Sequence, residues 1–279
     1  MKVNGWKYYN HAAIPTCAPH QDADVSAIES GDIWNLNGKK PLFARWTTDF
    51  DCGYETNWWY VIKDTPFDIN ALKAKRRYEV NKGIKNFDVR VIDPREYKEE
   101  LFYVQKSAFS AYPAKYRPKV EHDTFTESID NWTDFKVYGA FFKETEKLCG
   151  YSFLGEKDNC AFFYVQKVDP EYEPYAVNAA LVYGIVTDCD EFLKNGGYIC
   201  DGEKSISHET AFQDYLEKYF GFRKAYCKLH IQYNPKLKWV IRLLYPIRRL
   251  LMKMDGIGVL HSLNAVLRME EICRSEEQV

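Results

Sequence analysis

Three strand-forming runs, Lys136 to Phe142, Leu148 to Leu154 and Asn159 to Val168, follow one another with only a few residues between them. The gaps hold Lys, Glu, Gly and Asp, the residues of hairpin loops. Links this short cannot cross a sheet face, so neighbouring runs must pair antiparallel. The middle of the chain is thereby committed to an antiparallel meander, and whatever precedes and follows it must pack around that sheet.

On the N-terminal side, Phe87 to Ile92 reads as a strand. Asp93-Pro94-Arg95-Glu96 opens a helix, with Asp93 as cap, Pro94 in the first turn and Glu96 completing a capping-box-like pattern. Tyr97, Leu101, Val104 and Ala108 then recur at helical spacing, and a short helix is expected around Phe125 to Trp132. An earlier helix, capped by Asp68 or Asn70, runs through Ala71, Ala74 and Tyr78 and is expected to stop at Gly83. Residues 1–66 are aromatic-rich and irregular, with strands at Pro41 to Trp46 and Asn57 to Ile62.

On the C-terminal side, a long helix fits Tyr175 to Lys194, ending at Asn195-Gly196-Gly197. Tyr198 to Cys200 is a short strand, and Ser207 caps a helix that includes His208, Glu209 and Thr210. From Arg223 to Tyr233, Ala225, Cys227, Leu229 and Ile231 alternate with Lys224, Tyr226, Lys228 and His230, the pattern of a half-buried strand. One or two helices finish the chain, interrupted near Pro246 and near Gly256 to Gly258. The expected fold class is α/β with a mixed sheet flanked by helices. The expected organisation is an N-terminal extension over 1–66, a main domain over 67–234 and a basic helical tail over 235–279.

Length and charge narrow the function. With 279 residues the chain suits one main core with decorations. A net charge of −2 argues against bulk DNA binding. Basic residues are nevertheless clustered: six lie between Asn234 and Met254 with no acidic one, and seven lie between Lys73 and Arg90 against Glu79 and Asp88. Neither a secretory leader nor ~18 uninterrupted apolar residues is visible, which sets the expectation of a cytoplasmic protein. The eight cysteines form no C-x-x-C pair, so they read as reduced and mostly buried, and no zinc or other metal is expected.

The order from Phe87 onward, strand, helix, helix, three strands, helix, strand, helix, strand, resembles that of the GNAT acyltransferases. At the junction after the third meander strand, Val168, Pro170, Tyr172, Ala180 and Leu181 keep the register of the family's donor-loop signature. Leu216-Glu217-Lys218-Tyr219-Phe220-Gly221-Phe222 is similar to the family's Y-E-K-x-G-F ending, with one extra residue. The resemblance implies that Glu173, Tyr175, Ala176, Val177 and Asn178 lie where the family binds the pyrophosphate of acetyl-CoA. This chain departs from the signature there: Glu173 replaces an arginine, Pro174 removes an N–H donor, and Ala176 and Asn178 replace glycines. A carboxylate ~4 Å from a phosphate costs about 4 kcal/mol at an effective dielectric of ~20.

The Fem-type aminoacyl transferases, which use aminoacyl-tRNA, and acetyltransferase-like proteins of polysaccharide assembly form a GNAT branch that tolerates loss of this loop. Their basic helix looks like Lys75-Arg76-Arg77-Tyr78-Glu79-Val80-Asn81-Lys82-Gly83. The resemblance therefore implies an acyl-CoA or an aminoacyl-tRNA as donor. It implies a small-molecule or lipid-linked saccharide as acceptor, bearing an amine or hydroxyl. A catalytically silent GNAT-fold binding protein is the alternative, since the loop and an obvious base are both altered.

Acyl transfer needs a base, oxyanion donors and an acid. The strand before the signature offers Tyr164, Gln166 and Lys167 but no carboxylate. His208 and Glu209 at a helix start, with Asp201 shortly before them, are the candidate catalytic residues, although Asp201-Gly202 also suits a plain turn. Lys75, Arg76 and Arg77 are candidates for substrate or phosphate binding, or else a solvated helix face. In the tail, Trp239, Val240, Leu243, Leu244, Ile247, Leu250 and Leu251 interleave with Lys236, Lys238, Arg242, Arg248, Arg249 and Lys253. Two readings of 236–253 stand: a helix that meets the anionic inner face of a membrane, or one packed on the domain with a wet basic face.

Overall fold

The computed structural model describes residues 3–112, 114, 117–206, 211–254 and 258–276. Its strands are β1 (Trp6–Tyr9), β2 (Ala12–Pro15), β3 (Phe43–Thr48), β4 (Trp58–Lys63), β5 (Phe87–Ile92), β6 (Lys136–Phe142), β7 (Lys147–Lys157), β8 (Cys160–Val168), β9 (Tyr198–Glu203) and β10 (Arg223–Tyr233). Its helices are α1 (Ser26–Glu29), α2 (Ala74–Asn86), α3 (Lys98–Ser110), α4 (His122–Ile129), α5 (Val177–Asp188), α6 (Asp190–Lys194), α7 (Ala211–Phe220), α8 (Pro235–Leu244), α9 (Arg248–Leu251) and α10 (Gly258–Glu276). Contacts group the chain into two compact units. Unit 1 comprises Met1–Val61, Glu203–Ala211 and Lys224–Val279; unit 2 comprises Ile62–Gly202 and Phe212–Arg223.

In unit 1 the strand order is β1-β2-β3-β10-β4. Alternation assigns the two faces. Ala12 and Phe43, paired across β2 and β3, join the core formed with Trp58, Cys227, Leu229, Ile241 and Leu267. Their neighbours Ala13 and Ala44 join the opposite cluster with Trp6, Ile33 and Leu36. The β10 alternation holds, with Ala225, Cys227 and Leu229 buried.

In unit 2 the order is β9-β8-β7-β6-β5. The three meander runs pair antiparallel as β6-β7-β8, and β5 adds antiparallel to β6. Helix α3 buries Leu101 and Val104 against Val137, Phe141, Tyr151 and Phe153 on one face. On the other, α5 lies so close that a Cβ on Gly150 of β7 would meet Leu181, and one on Gly184 of α5 would meet Val89 of β5. Asp93 caps as expected, accepting from Arg95 N at 3.1 Å, but the first turn is 3-10 and α3 proper starts at Lys98.

Two expected helix boundaries shift, each for a packing reason. Asp68 does act as a cap, for a 3-10 turn over Ile69–Ala71, but α2 runs through Gly83 to Asn86. Gly83 marks a crossing rather than an end: a Cβ there would stand 2.8 Å from Ala176 O and 2.8 Å from Ala180 N of α5. The long helix expected over Tyr175 to Lys194 begins at Val177 and breaks at Cys189, giving α5 and α6.

Candidate functional site

The opening between β8 and β9 follows from their pairing. They run parallel and pair at Cys160–Tyr198, Ala161–Ile199 and Phe162–Cys200. Immediately beyond, the β7–β8 register slips: Phe153 faces Val165 and Leu154 faces Phe163, so Tyr164 is an extra residue on β8. Such a bulge bends its strand and increases its twist. From Val165 to Val168 β8 stays paired to β7, while its ladder with β9 has ended among the described pairs. Two parallel strands that part toward their C-terminal ends leave backbone groups for a ligand, the usual location of sites in open α/β sheets.

Asp201 stands at the first position of β9 past its last residue paired to β8. It is partly buried, and loss of hydration raises its carboxyl to about 7, with a hydrogen bond from Gln213 of α7 acting in the opposite direction. Gly202 follows with φ of +101°, a conformation that glycine adopts without strain, and both Asp201 and Gly202 lie within β9 rather than in a plain turn. A carboxyl that titrates near neutrality can take a proton from an amine or hydroxyl. Next to Gln213, Phe212 packs on Phe163 of β8 at 5.7 Å between ring centres. Further along α7, Tyr215 stacks on Tyr219 at 4.7 Å, and burial holds its hydroxyl well above the ordinary range.

The loop that leads into α5 is built from Asp169. Its buried carboxylate accepts from Ser107 Oγ at 2.8 Å and Glu171 N at 3.3 Å, with Lys147 Nζ at 3.4 Å. A 3-10 turn over Pro170–Tyr175 follows, then Ala176 in the left-handed region at φ 68°. The Ala176 amide donates to Glu173 O at 2.9 Å. Glu173 and Tyr175 are exposed, and the Tyr175 ring packs on Phe142 at 5.1 Å. Val177 is fully buried. Asn178 faces β8, where its Oδ1 accepts from Gln166 Nε2 at 2.8 Å, and Gln166 Oε1 is buried without a partner. An anion at this helix start would meet Glu173, an Ala176 amide already used, and the backbone of α2 at Gly83.

The three basic candidates on α2 diverge, as adjacent helical positions must. Arg76 lies over the Tyr219 ring at 6.0 Å, Arg77 donates to Asn70 O at 3.5 Å, and Lys75 is exposed. His208 and Glu209 lie outside the described residues. Among the described residues no group of three or more His, Cys, Asp and Glu side chains is placed to hold a metal ion. Two contributors carry no sequence signal of their own. Gln213 is one polar residue on a helix, and Gln166 becomes distinctive only because Asn178 is folded against it.

No family model and no curated protein matches this chain. Solved structures do. FemX is 9% identical at a TM-score of 0.53, over 85% of this chain and 85% of that one. L-PGS from Bacillus licheniformis is 11% identical at 0.50, over 86% and 83%. The C-terminal domain of a putative lysylphosphatidylglycerol synthetase from Agrobacterium fabrum is 11% identical at 0.50, over 85% and 82%. Identities this low speak for fold alone. The chain has a mixed α/β, GNAT-like fold, in line with the element order read from its sequence.

Proposed function

We propose that this chain is a GNAT-fold acyl- or aminoacyl-transferase acting on an amine or hydroxyl of a cell-envelope or polysaccharide precursor, with Asp201 as its base. The observation that carries this reading is the parting of β8 and β9 with a carboxyl of pKa about 7 at its mouth. The donor's reactive carbonyl would enter between the strands, against the unpaired edge of β8. As the acceptor's nitrogen or oxygen bonds to that carbonyl carbon, Asp201 takes its proton; when the donor's bond from the carbonyl carbon to its leaving group breaks, that proton passes to the departing atom. Gln213 holds the Asp201 carboxyl in place.

The donor loop favours an aminoacyl ester over acyl-CoA. Glu173 would repel a pyrophosphate, the Ala176 amide is already engaged, and α2 occupies the space at the helix start. The likeness to FemX and to the putative lysylphosphatidylglycerol synthetase domain supports the reading at the level of fold.

The test is a transfer assay with aminoacyl-tRNA and acetyl-CoA in parallel, using amino-sugar acceptors. The expected result is transfer from the aminoacyl donor, with a rate that rises with pH through about 7. Asp201→Asn should lower kcat on the order of 10²- to 10⁴-fold and remove that pH limb. Transfer from neither donor, with no thermal stabilisation by either, would leave the silent binding protein as the better reading. A strong thermal shift with coenzyme A would overturn the donor assignment.

A further inference from the structure

The α8–α9 segment divides its surface into three sectors. Leu237, Ile241, Tyr245, Leu251 and Met252 turn inward onto the unit 1 core. That packing fixes which side chains face out. Trp239 and Leu243, four residues apart on α8, share its outer face, and Ile247 in the following 3-10 turn and Leu250 in α9 continue the exposed apolar series. They are 64%, 72%, 48% and 62% exposed. Apart from tyrosines and the adjoining Val240, only Leu42 and Val91 are comparably exposed large apolar side chains among the described residues. Scattered exposed leucines mean little, but several large apolar side chains left exposed on one ordered segment mark a candidate binding surface.

The third sector is basic. Lys238 and Arg242 lie four residues apart on α8, and Arg249 of α9 and Lys253 of the 3-10 turn after it carry the basic series on. All four are exposed, and Lys236 adds a fifth exposed charge. Arg242 lies over the Trp239 ring at 5.7 Å, so charge and ridge touch. Arg248 is the exception: it turns inward to Glu271 at 2.8 Å. Between Asn234 and Met254 there is no acidic residue.

From this arrangement we infer that the α8–α9 segment docks on an anionic lipid surface, lying in its plane. The ridge supplies apolar side chains for the acyl boundary, Trp239 sits at the junction where amphipathic rings are favoured, and the flanking cations meet anionic headgroups. Charge decides against a second copy as occupant. A two-fold contact would set this basic flank against its own image, with no acidic residue in the segment to offset it. Crossing the bilayer is a different matter, since no helix among the described residues is long and apolar enough to do so.

The test is co-sedimentation of the full chain with vesicles of phosphatidylcholine alone and of phosphatidylcholine with phosphatidylglycerol. Binding is expected only when phosphatidylglycerol is present, and it should weaken as added salt shortens the screening length. Arg249→Glu should weaken binding by at least about fivefold, the value of one basic contact near an anionic surface. Leu243→Ser with Leu250→Ser should weaken it by more than about tenfold. Both variants should keep the melting temperature of the unmodified chain, because the substituted side chains are exposed. Failure of the unmodified chain to bind phosphatidylglycerol vesicles, or undiminished binding by the leucine variant, would overturn the inference. So would a dimer, seen by sedimentation velocity, that only the leucine variant loses. None of these residues belongs to the β8–β9 site, so a failure here says nothing about transfer chemistry.

Discussion

Asp201 and Asp169 are both carboxylates at strand ends, and they differ because one lacks the donors that surround the other. Asp169 is buried among donors from Ser107, Glu171 and Lys147. Asp169→Ala leaves those donors unmet, and a loss of about 3 kcal/mol is expected in urea unfolding. Asp201 has burial and one weak helper, so its folded carboxyl titrates at about 7 against an ordinary aspartate value of 3.8. A raised pKa means the folded state holds its proton more tightly. The contribution is complete below about pH 4 and is lost as pH rises toward 7, on the order of 4 kcal/mol at full loss. Asp201→Asn should therefore flatten the stability profile between pH 4 and 7 and be relatively more stable than the unmodified chain at pH 8. A steep profile that survives the substitution would mean that other groups cause it.

At the scale of elements, the crossing of α2 over α5 rests on one missing side chain. Alanine is the better helix former by about 1 kcal/mol. Gly83→Ala should still destabilise, by about 1 to 2 kcal/mol net, because the new methyl meets the backbone of Ala176 and Ala180, which cannot rotate away. Thermal unfolding of that variant checks the sign. Helices α3 and α4 are joined at the surface by His122, whose Nε2 lies 2.9 Å from a Glu99 oxygen and Nδ1 2.9 Å from Asp123. Hydrogen bonds to Asp123 and then Glu99 raise its pKa. Protection of α4 amides against hydrogen exchange should be greatest below the ordinary histidine value and fall as pH rises through the raised one. His122→Gln should abolish that dependence.

At the scale of the molecule, each unit has its own strands and its own apolar interior. The C-terminal helices are part of one of them. Leu267 of α10 is fully buried with Trp58, Cys227 and Leu229, and Glu276 accepts from the backbone amides of Leu229 and Asn57 at 3.2 Å. Leu267→Ala should cost about 2 to 5 kcal/mol, as a truncation in any close-packed core does. A cost under about 1 kcal/mol would show that α10 is dispensable to unit 1.

Local chemistry alone determined much of the fold. The short polar gaps forced β6, β7 and β8 into a meander, Asp93 capped the start its position announced, and the alternation along Arg223 to Tyr233 assigned a buried face. Periodicity and capping act within a few residues, so a sequence displays them directly. The site was decided by tertiary structure. Whether Asp201 lay in an exposed turn or in a strand with a raised carboxyl depended on the burial it receives past the end of the β8–β9 ladder, and Gln213 reaches it from α7. Gly83 read as a stop until the position of α5 made it a crossing. In the tail, spacing revealed apolar and basic stripes, but only packing against the unit 1 core could show which apolar stripe was spent inside and which remained on the surface. Burial and approach distances are properties of segments far apart in the chain, and no local pattern records them.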